Sequence, residues 1–299
     1  MDMLRITDLH KRFGDKEVLR GLDISVPEHS IYGFIGKNGA GKTTTMKTVL
    51  GLMKADSGTI VVNGEPVVYG QTVTNQYIGY LPDVPEFYPF MTAPEYLRFC
   101  GEITGMRRAE CDARCKELLE LVGLRDEKHR IKGFSRGMKQ RLGIAQALLD
   151  KPKLLICDEP TSALDPVGRK EILDILLAVR EQTTVLFSTH ILSDVERICT
   201  DVAFLNNGVV EIHGKLSDIK TKYRSEEYLL ETENDAEIRK LIQAFPAMKQ
   251  LGRNQLTLCE SVLSAFDVLR FVSDEHIDLL KFERVEPTLE SLFMEVTRK

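Results

Sequence analysis

A glycine-rich segment near the amino terminus, GFIGKNGAGKTTTMK at residues 33–47, carries the first residues with evident chemistry. Gly36, four intervening residues, Gly41, Lys42 and Thr43 match the pattern G-x-x-x-x-G-K-[ST]. Glycines let another molecule approach main-chain N–H groups closely. Those groups, the Lys42 ammonium and the positive end of a following helix would hold phosphate oxygens, and the Thr43 hydroxyl would face Mg²⁺. The pattern predicts a phosphate site; the alternative is a glycine-rich turn that binds nothing.

Two adjacent carboxylates, Asp158 and Glu159, end an apolar run in KLLICDEPTSALD. An acid at the mouth of a buried strand is costly unless a cation or hydrogen bonds satisfy it, so Mg²⁺ is one explanation. Neighbouring side chains on an extended segment point in different directions. One acid would then address the metal while the other faces a water near the terminal phosphate. The alternative is a turn in which both acids are only caps.

Two further segments carry polar residues whose spacing alone is ambiguous. His190 follows an apolar run in FSTHILSDVE, and a lone histidine in such a place is usually structural. Ser135 and Gly137 precede a segment with three- and four-residue apolar spacing. That spacing by itself predicts only a capped helix.

The elements that must position these residues follow an α/β pattern. SIYGFI (30–35) reads as a buried strand before the glycine-rich loop, and TTTMKTVLGL (43–52) reads as a helix after it. The first 67 residues alternate strand-like segments with turns, which predicts an antiparallel or mixed sheet. Residues 93–149 show helical spacing, so a helical insertion of about 60 residues interrupts the core. Further elements are predicted as strands at KLLICDEP and TTVLFSTH, and as helices at 168–180 and 191–198.

The composition of the sequence changes after about Lys215, where the polar segment SDIKTKYRSEE begins. Beyond it the pattern is β-α-β-β-α-β, a ferredoxin-like order, followed by the amphipathic segment TLESLFMEVT. The sequence therefore predicts a nucleotide-binding domain at 1–220, with a helical subdomain at about 84–150, and an accessory domain at 221–299.

Composition limits the partners. The net charge of −5 over 299 residues gives no basic footprint for nucleic acid, so none is expected as a partner. No apolar run approaches the roughly 20 residues that cross a bilayer, and the chain is expected to be soluble and intracellular. The six cysteines form no C-x-x-C pair and are expected to be reduced, structural thiols.

Taken together, the segments resemble the motifs of the ATP-binding cassette (ABC) ATPases over nearly all of residues 1–220. GKNGAGKTT is similar to Walker A, FSRGMKQR to the signature motif, LLICDE to Walker B, SALD to the D-loop and STH to the H-loop, all in family order. Five motifs in order are far more specific than any one of them. The signature segment and the ending EPTLESLFMEVT resemble the ATP-binding subunits of export-type, ABC-2-like transporters. The resemblance implies an α/β P-loop NTPase core with an antiparallel β subdomain and a helical insertion, plus a small C-terminal α+β domain.

The resemblance also implies roles for individual residues. Glu159 matches the general base, His190 the residue that contacts the γ-phosphate, and Lys42 a catalytic phosphate charge. Mg²⁺ would be held by Thr43, Asp158 and Asp83. The residues that resemble ATP-binding positions are Phe13 (stacked on adenine), Gly36, Asn38, Gly39, Ala40, Gly41, Lys42, Thr43, Thr44, Ser135, Gly137 and Asp165.

Two departures from the family pattern stand out. Asp83 lies where many cassettes carry glutamine, and it is shorter and charged, although it could reach Mg²⁺ through a water. Arg136 replaces the first signature glycine, and Met138 replaces the glutamine. Only Ser135 and Gly137 are therefore carried over from the signature.

The resemblance further implies a homodimer, or a heterodimer with a similar subunit, around two ATP molecules. Its partner would be an integral membrane permease, which would hold the chain on the cytoplasmic face of the membrane. The segment EFYPFMTAPEYLRF (86–99) is either the docking surface for that permease or the core of the helical insertion. A soluble cassette acting on ribosomes or nucleic acid is the weaker alternative, because this chain has one cassette and no coiled-coil arms. A regulatory module without turnover is disfavoured by the presence of Glu159 and His190.

Overall fold

The computed structural model describes residues 2–223, 226–285 and 288–297. The chain divides into two compact units, with the division between Leu216 and Ser217. The predicted domain boundary at residue 220 lies near this division, and the independence of the two domains stays a prediction. Within the described ranges, no helix combines the length and the apolar character needed to cross a bilayer.

The first unit contains an antiparallel sheet, a largely parallel sheet and two groups of helices. Its strands are β1 (Asp2–Phe13), β2 (Lys16–Pro27), β3 (Ile31–Gly36), β4 (Ser57–Val62), β5 (Glu65–Pro66), β6 (Ile78–Leu81), β7 (Leu154–Asp158), β8 (Thr184–Thr189), β9 (Asp201–Asn206) and β10 (Val209–Lys215). Its helices are α1 (Lys42–Val49), α2 (Ala93–Ile103), α3 (Arg108–Leu121), α4 (Arg136–Ala147), α5 (Pro166–Val179) and α6 (Leu192–Ile198), and α7 (Leu216–Lys222) follows at the division.

The antiparallel sheet has the strand order β2-β1-β4-β5, which confirms the prediction for the first 67 residues. Buried side chains of this sheet, such as Leu4, Ile6 and Val62, share a core with α1 and the parallel sheet. The β4–β5 connection turns at Asn63 and Gly64, which both have positive φ, as a tight hairpin requires.

The second sheet has the order β10-β9-β3-β8-β7-β6 and is parallel from β9 to β6, with β10 antiparallel at one edge. Strands β3, β7 and β8 are buried along their whole length, because helices or the other sheet cover both faces of a parallel sheet. Since β3, β8 and β7 are adjacent, the segments that follow them meet at the carboxyl edge of the sheet. The apolar runs in the sequence predicted these three strands, whereas β9 and β10 were not predicted.

Helix α1 is shorter than predicted. The apolar pattern suggested a helix to residue 52, whereas α1 ends at Val49. The reason is Gly51, which has a φ of 68° and so takes the left-handed conformation that ends many helices.

Helices α2, α3 and α4 form the predicted helical insertion. Helix α4 crosses the edge strand β6 closely: a Cβ atom on Gly79 would lie 2.1 Å from the carbonyl oxygen of Ala147. On α3, Cys111 and Cys115 are both buried with their Sγ atoms 3.8 Å apart, which confirms that they share a helix face. Burial raises the pKa of Cys115 to about 12, so Cys115 packs as a neutral thiol.

The second unit confirms the β-α-β-β-α-β order. Its elements are β11 (Glu227–Thr232), α8 (Asp235–Ala244), β12 (Lys249–Gln250), β13 (Gln255–Cys259), α9 (Ala265–Asp274), β14 (Leu279–Arg284) and α10 (Leu289–Thr297). The sheet order is β12-β13-β11-β14, with antiparallel pairing throughout. Its own core contains Leu230, Ile238, Leu256 and Val268. The predicted polar segment at 217–227 and the EPTLESLFMEVT ending each include two residues outside the described ranges.

Candidate nucleotide site

The glycine-rich loop joins β3 to α1, and three of its glycines are required for separate reasons. Gly39 and Gly41 have φ values of 83° and 115°, which side chains disfavour. A Cβ on Gly41 would also lie 2.8 Å from Leu19, and one on Gly36 would lie 2.8 Å from the carbonyl oxygen of Leu205. The loop therefore holds its main chain close to the sheet and leaves its N–H groups at the amino end of α1 for an anion.

The buried Lys42 places its ammonium inside this loop. Its Nζ donates to the carbonyl oxygen of Gly36 at 2.6 Å and lies 3.1 Å from Oε1 of Glu159. Only 5% of Lys42 is exposed, so the loop and the carboxylate hold the charge in one place. The ammonium is thus available to phosphate oxygens at the cost of its contact with Glu159.

Asp158 ends β7 and connects two elements that are distant in sequence. Its Oδ2 accepts the Thr43 hydroxyl at 2.8 Å, and its Oδ1 accepts the Ser188 hydroxyl at 2.6 Å. The residue is 4% exposed, and these bonds satisfy a charge that would otherwise be costly to bury. Asp158 and Thr43 therefore lie together, as the sequence predicted for a metal site.

Glu159 has a different set of partners from Asp158. Its Oε2 lies 2.9 Å from Nδ1 of His190. Its buried Oε1, though within ion-pair distance of Lys42, has no hydrogen bond to any described residue. The residue has a φ of 49°, a conformation that costs a non-glycine residue about 1–3 kcal/mol and that persists only where the surroundings impose it. Its N–H donates to both the hydroxyl oxygen and the main-chain carbonyl oxygen of Ser188, and these two contacts help to impose the conformation.

These groups surround one cavity of about 440 Å³. Asp83, the first departure from the family pattern, also lies on the cavity wall. Arg136, part of the second departure, contacts it: Nη2 of Arg136 is 3.4 Å from Oδ1 of Asp83. Burial raises the pKa of Asp83, an effect that Arg136 opposes and that the charges of Asp158 and Glu159 reinforce. The described residues lining the cavity are Val18, Asn38, Gly39, Gly41, Lys42, Thr43, Thr44, Asp83, Asp158 and Glu159.

Six predicted ATP-binding residues are not among the described residues that line this cavity: Gly36 and Ala40 of the loop itself, Phe13, Ser135, Gly137 and Asp165. Phe13 is 48% exposed at the end of β1, with the Lys11 ammonium 5.3 Å from its ring centre. Ser135 caps α4 by accepting the N–H of Met138 at 3.2 Å, with Gly137 in the first turn. Asp165 caps α5 by accepting the N–H of Gly168 at 2.9 Å. Their roles toward ATP stay predictions.

Sequence reasoning missed two residues of the site. Val18 lines the cavity from β2, and an isolated valine in a strand gives no signal of a ligand. Ser188 bonds to Asp158 and to the main chain of Glu159. Its signal was present, because it is a polar residue near the end of an otherwise apolar strand, immediately before Thr189 and His190.

A phosphate loop between a central strand and a helix, with an acid pair at the end of the next strand but one in the same sheet, defines a P-loop nucleoside triphosphatase. The family model described as ABC transporter matches residues 19–162. The model described as ATP-binding protein DrrA1-3-like, C-terminal domain, matches residues 214–297.

Similar proteins agree with this class. The chain is 37% identical over 303 residues to the uncharacterized ABC transporter ATP-binding protein YxlF of Bacillus subtilis, covering 98% of this chain and 99% of that protein. It is 32% identical to the linearmycin resistance ATP-binding protein LnrL of Bacillus subtilis, covering 99% and 98%. A solved ATP-binding subunit of an ABC transporter is 34% identical, with a TM-score of 0.66 over 74% of this chain and 93% of that one.

The chain therefore belongs to the ABC transporter family, as an ATP-binding subunit with the ATPase fold and activity of that family. The names of YxlF and of the solved structure refer to ABC transporters, and none of the three names supports the alternative of a cassette acting on ribosomes.

Proposed function

We propose that two copies of this chain, or one copy and a similar subunit, bind two ATP molecules between them and drive a separate membrane permease that exports its substrate. The observation that carries the proposal is that, within one chain, the signature residues Ser135 and Gly137 are not among the described residues that line the cavity. They lie at the amino end of α4, and Arg136 between them reaches Asp83 on the cavity wall. A second subunit would bring its own copies of these residues to complete the site.

Magnesium fits the residues present. A buried carboxylate, a threonine hydroxyl and a second carboxylate at the cavity wall are the oxygen ligands that Mg²⁺ prefers. Thr43 and Asp158 would hold the ion, and Asp83 would reach it directly or through water. When bound, it would neutralise charge on the phosphate oxygens.

The chain's own residues would then contribute position and charge. The Lys42 ammonium would exchange its contact with Glu159 for phosphate oxygens. The released Glu159 would orient the attacking water and accept its proton, and His190 would contact the γ-phosphate. His190 already bonds to Glu159, so one polar group aligns the other.

Closure and opening follow from the same contacts. ATP would contact both subunits only when they are closed, and therefore favours closure, while hydrolysis removes the phosphate that bridges them. The permease would follow this motion. The name of the similar protein LnrL, which refers to linearmycin resistance, supports export as the direction. Through its permease the chain would lie on the cytoplasmic face of the membrane.

The surface proposed to dock the permease is the aromatic cluster of 86–99. Tyr88 and Phe90 are 48% and 60% exposed, while Tyr96 is buried and makes an edge contact with Phe87. The ring of Tyr88 also contacts those of Phe90, Tyr96 and Phe99. The cluster thus has an inner part that belongs to the insertion's core and an outer part that is free to bind.

The test uses Glu159→Gln, which keeps the shape of the side chain but removes the base. We expect ATP binding to persist and turnover to fall by about two to four powers of ten. Light scattering after size-exclusion chromatography should show a dimer with Mg²⁺ and ATP and a monomer with ADP. Parental turnover in this variant would refute the base assignment, and a monomer under saturating ATP with undiminished hydrolysis would refute the shared site.

A further inference from the structure

A buried carboxylate outside the cavity connects three elements of the ATPase core. Asp194 lies on α6 and is only 3% exposed. Its Oδ2 accepts the Thr161 hydroxyl at 2.7 Å, and its Oδ1 accepts Nη2 of Arg169, on α5, at 2.6 Å. Arg169 also lies 3.3 Å from the Ser193 hydroxyl. The proposed hydrolysis assigns no role to any of these residues.

The Thr161 end of this network lies in a strained turn. Glu159 and Ala163 have φ values of 49° and 53°, so two non-glycine residues within five positions take the left-handed conformation. Such conformations persist only where the surroundings over-determine them. Two main-chain hydrogen bonds lie within the turn. The Ser162 N–H donates to the Glu159 carbonyl oxygen at 3.0 Å, and the Leu164 N–H donates to the Thr161 carbonyl oxygen at 3.4 Å.

The two ends of the turn are held by different groups. Ser188 on β8 binds the N–H of Glu159 at the start. At the end, Asp165 caps α5, the helix that carries Arg169 one turn later. The middle of the turn is tethered through the side chain of Thr161, which is 1% exposed and bonded to Asp194. Asp194 therefore ties the middle of the turn to both α5 and α6.

We infer that Asp194 is a positioning residue for ATP hydrolysis: through Thr161 and Arg169 it holds the 159–165 turn in the conformation that directs Glu159 toward Lys42 and His190. The inference rests on the proposed role of Glu159 as the base. Without the tether the turn would relax toward ordinary φ values and carry the Glu159 carboxylate away from the cavity. Neither Asp194 nor Thr161 touches ATP in this scheme.

The decisive variants are a matched pair at Thr161. Thr161→Val keeps the shape and removes the hydroxyl, whereas Thr161→Ser keeps the hydroxyl. For Thr161→Val we expect kcat to fall by about 10- to 100-fold, the loss that a small misplacement of a catalytic group produces. Thr161→Ser should stay close to the parental kcat. The affinity for a fluorescent ATP analogue should be unchanged in both, because the phosphate loop is untouched.

Asp194→Asn should resemble Thr161→Val in its kcat. Thr257→Val, at a buried threonine of β13 in the second unit, is the control and should keep the parental kcat. Thermal unfolding of every variant checks that the fold is retained.

The Glu159→Gln background separates positioning from a general structural effect. If Thr161 acts through Glu159, Thr161→Val will slow the Glu159→Gln protein little or not at all, because the group it positions is gone. The same fold-loss in both backgrounds, or a parental kcat for Thr161→Val, would overturn the inference while leaving the base assignment intact. A parental kcat for Glu159→Gln alone would instead refute the proposed base, so the two failures are distinguishable.

Discussion

Lys42 is the residue whose charge and position, we propose, decide whether phosphate is held. It is buried, bonded to the Gly36 carbonyl and paired with Glu159, so its ammonium cannot swing into solvent without losing both contacts. A neutral residue here would leave the loop's N–H groups in place but remove the cation that charge-assisted bonds to phosphate need.

We therefore expect Lys42→Ala to weaken ATP binding by about 10- to 100-fold, corresponding to a charge-assisted hydrogen bond of about 1.5–3 kcal/mol. Equilibrium titration with a fluorescent ATP analogue measures the affinity. Lys47→Ala, on the exposed side of the same helix, is the control and should bind as the parental protein does. Equal affinities for the Lys42 and Lys47 variants would refute the phosphate role of Lys42.

Among the elements, the close crossing of α4 over β6 matters because the N-cap of α4 is Ser135 and β6 leads to Asp83. Gly79 makes this crossing possible, since a Cβ atom there would overlap the Ala147 carbonyl. The packing of α4 against β6 thus helps to fix the position of the signature residues relative to the cavity wall.

Gly79→Ala should lower the free energy of unfolding by about 1–3 kcal/mol, because the added methyl group overpacks the crossing. Gly133→Ala is the matched control: its Cβ would meet nothing within 4 Å and its φ is not positive. We expect that change to be neutral or to stabilise by about 0.4–1 kcal/mol, because alanine restricts the unfolded chain. Urea unfolding measures the free energy of unfolding of both variants. Equal changes in the two would contradict a close contact between α4 and β6 at Gly79.

The start of α2 provides a pH-dependent element. Thr92 and Glu95 form a capping box, and the pKa of Glu95 is lowered chiefly because its carboxylate accepts the Thr92 N–H. A carboxyl whose folded pKa lies below its unfolded value stabilises the fold above the unfolded pKa, about 4.3, and loses that contribution as pH falls through the folded pKa.

Glu95→Gln keeps the box's geometry but removes the charge. Its thermal midpoint should therefore lie slightly below the parental value at pH 7, and the difference should shrink as the pH is lowered below about 4.3. Differential scanning calorimetry from pH 7 to pH 3 follows the two midpoints. A difference that stays constant over this range would show that the Glu95 charge does not stabilise α2.

At the scale of the whole molecule, the division between Leu216 and Ser217 separates two sets of packed side chains. The second unit has its own four-stranded sheet and a core around Leu230 and Leu256, which are both fully buried. A segment with its own core and its own sheet meets the requirements of an independent domain.

A fragment of residues 217–299 should therefore fold alone and unfold cooperatively. Leu230→Ala should destabilise it by about 2–5 kcal/mol, because the change leaves a cavity in its core. Leu251→Ala, at a residue 66% exposed, should change its stability by less than about 0.5 kcal/mol. Circular dichroism during heating measures all three proteins, and a fragment without a cooperative transition would refute the independent domain.

Much of this fold could be predicted from short stretches of sequence, because strands, helix starts and the phosphate loop depend on residues that are close together in the chain. Strand β3 is a continuous apolar run, α4 and α5 start at capping residues, and the phosphate loop needs glycines at defined positions. The contact between Thr43 and Asp158, 115 residues apart in sequence, was expected because both belong to motifs of one known family. The strands β9 and β10 and the end of α1 were not predicted, although the apolar run of β9 and the helix-ending Gly51 are both local signals.

Residue types and their spacing define the kind of chemistry, because they specify a phosphate loop, an acid pair and their order along the chain. Which groups meet depends instead on the fold. The adjacency of β8 and β7 brings Ser188 to Asp158, and the packing of α6 and α5 around the turn brings Asp194 to Thr161. Such contacts depend on strand order and on packing between distant segments, and spacing along a chain encodes neither of these directly.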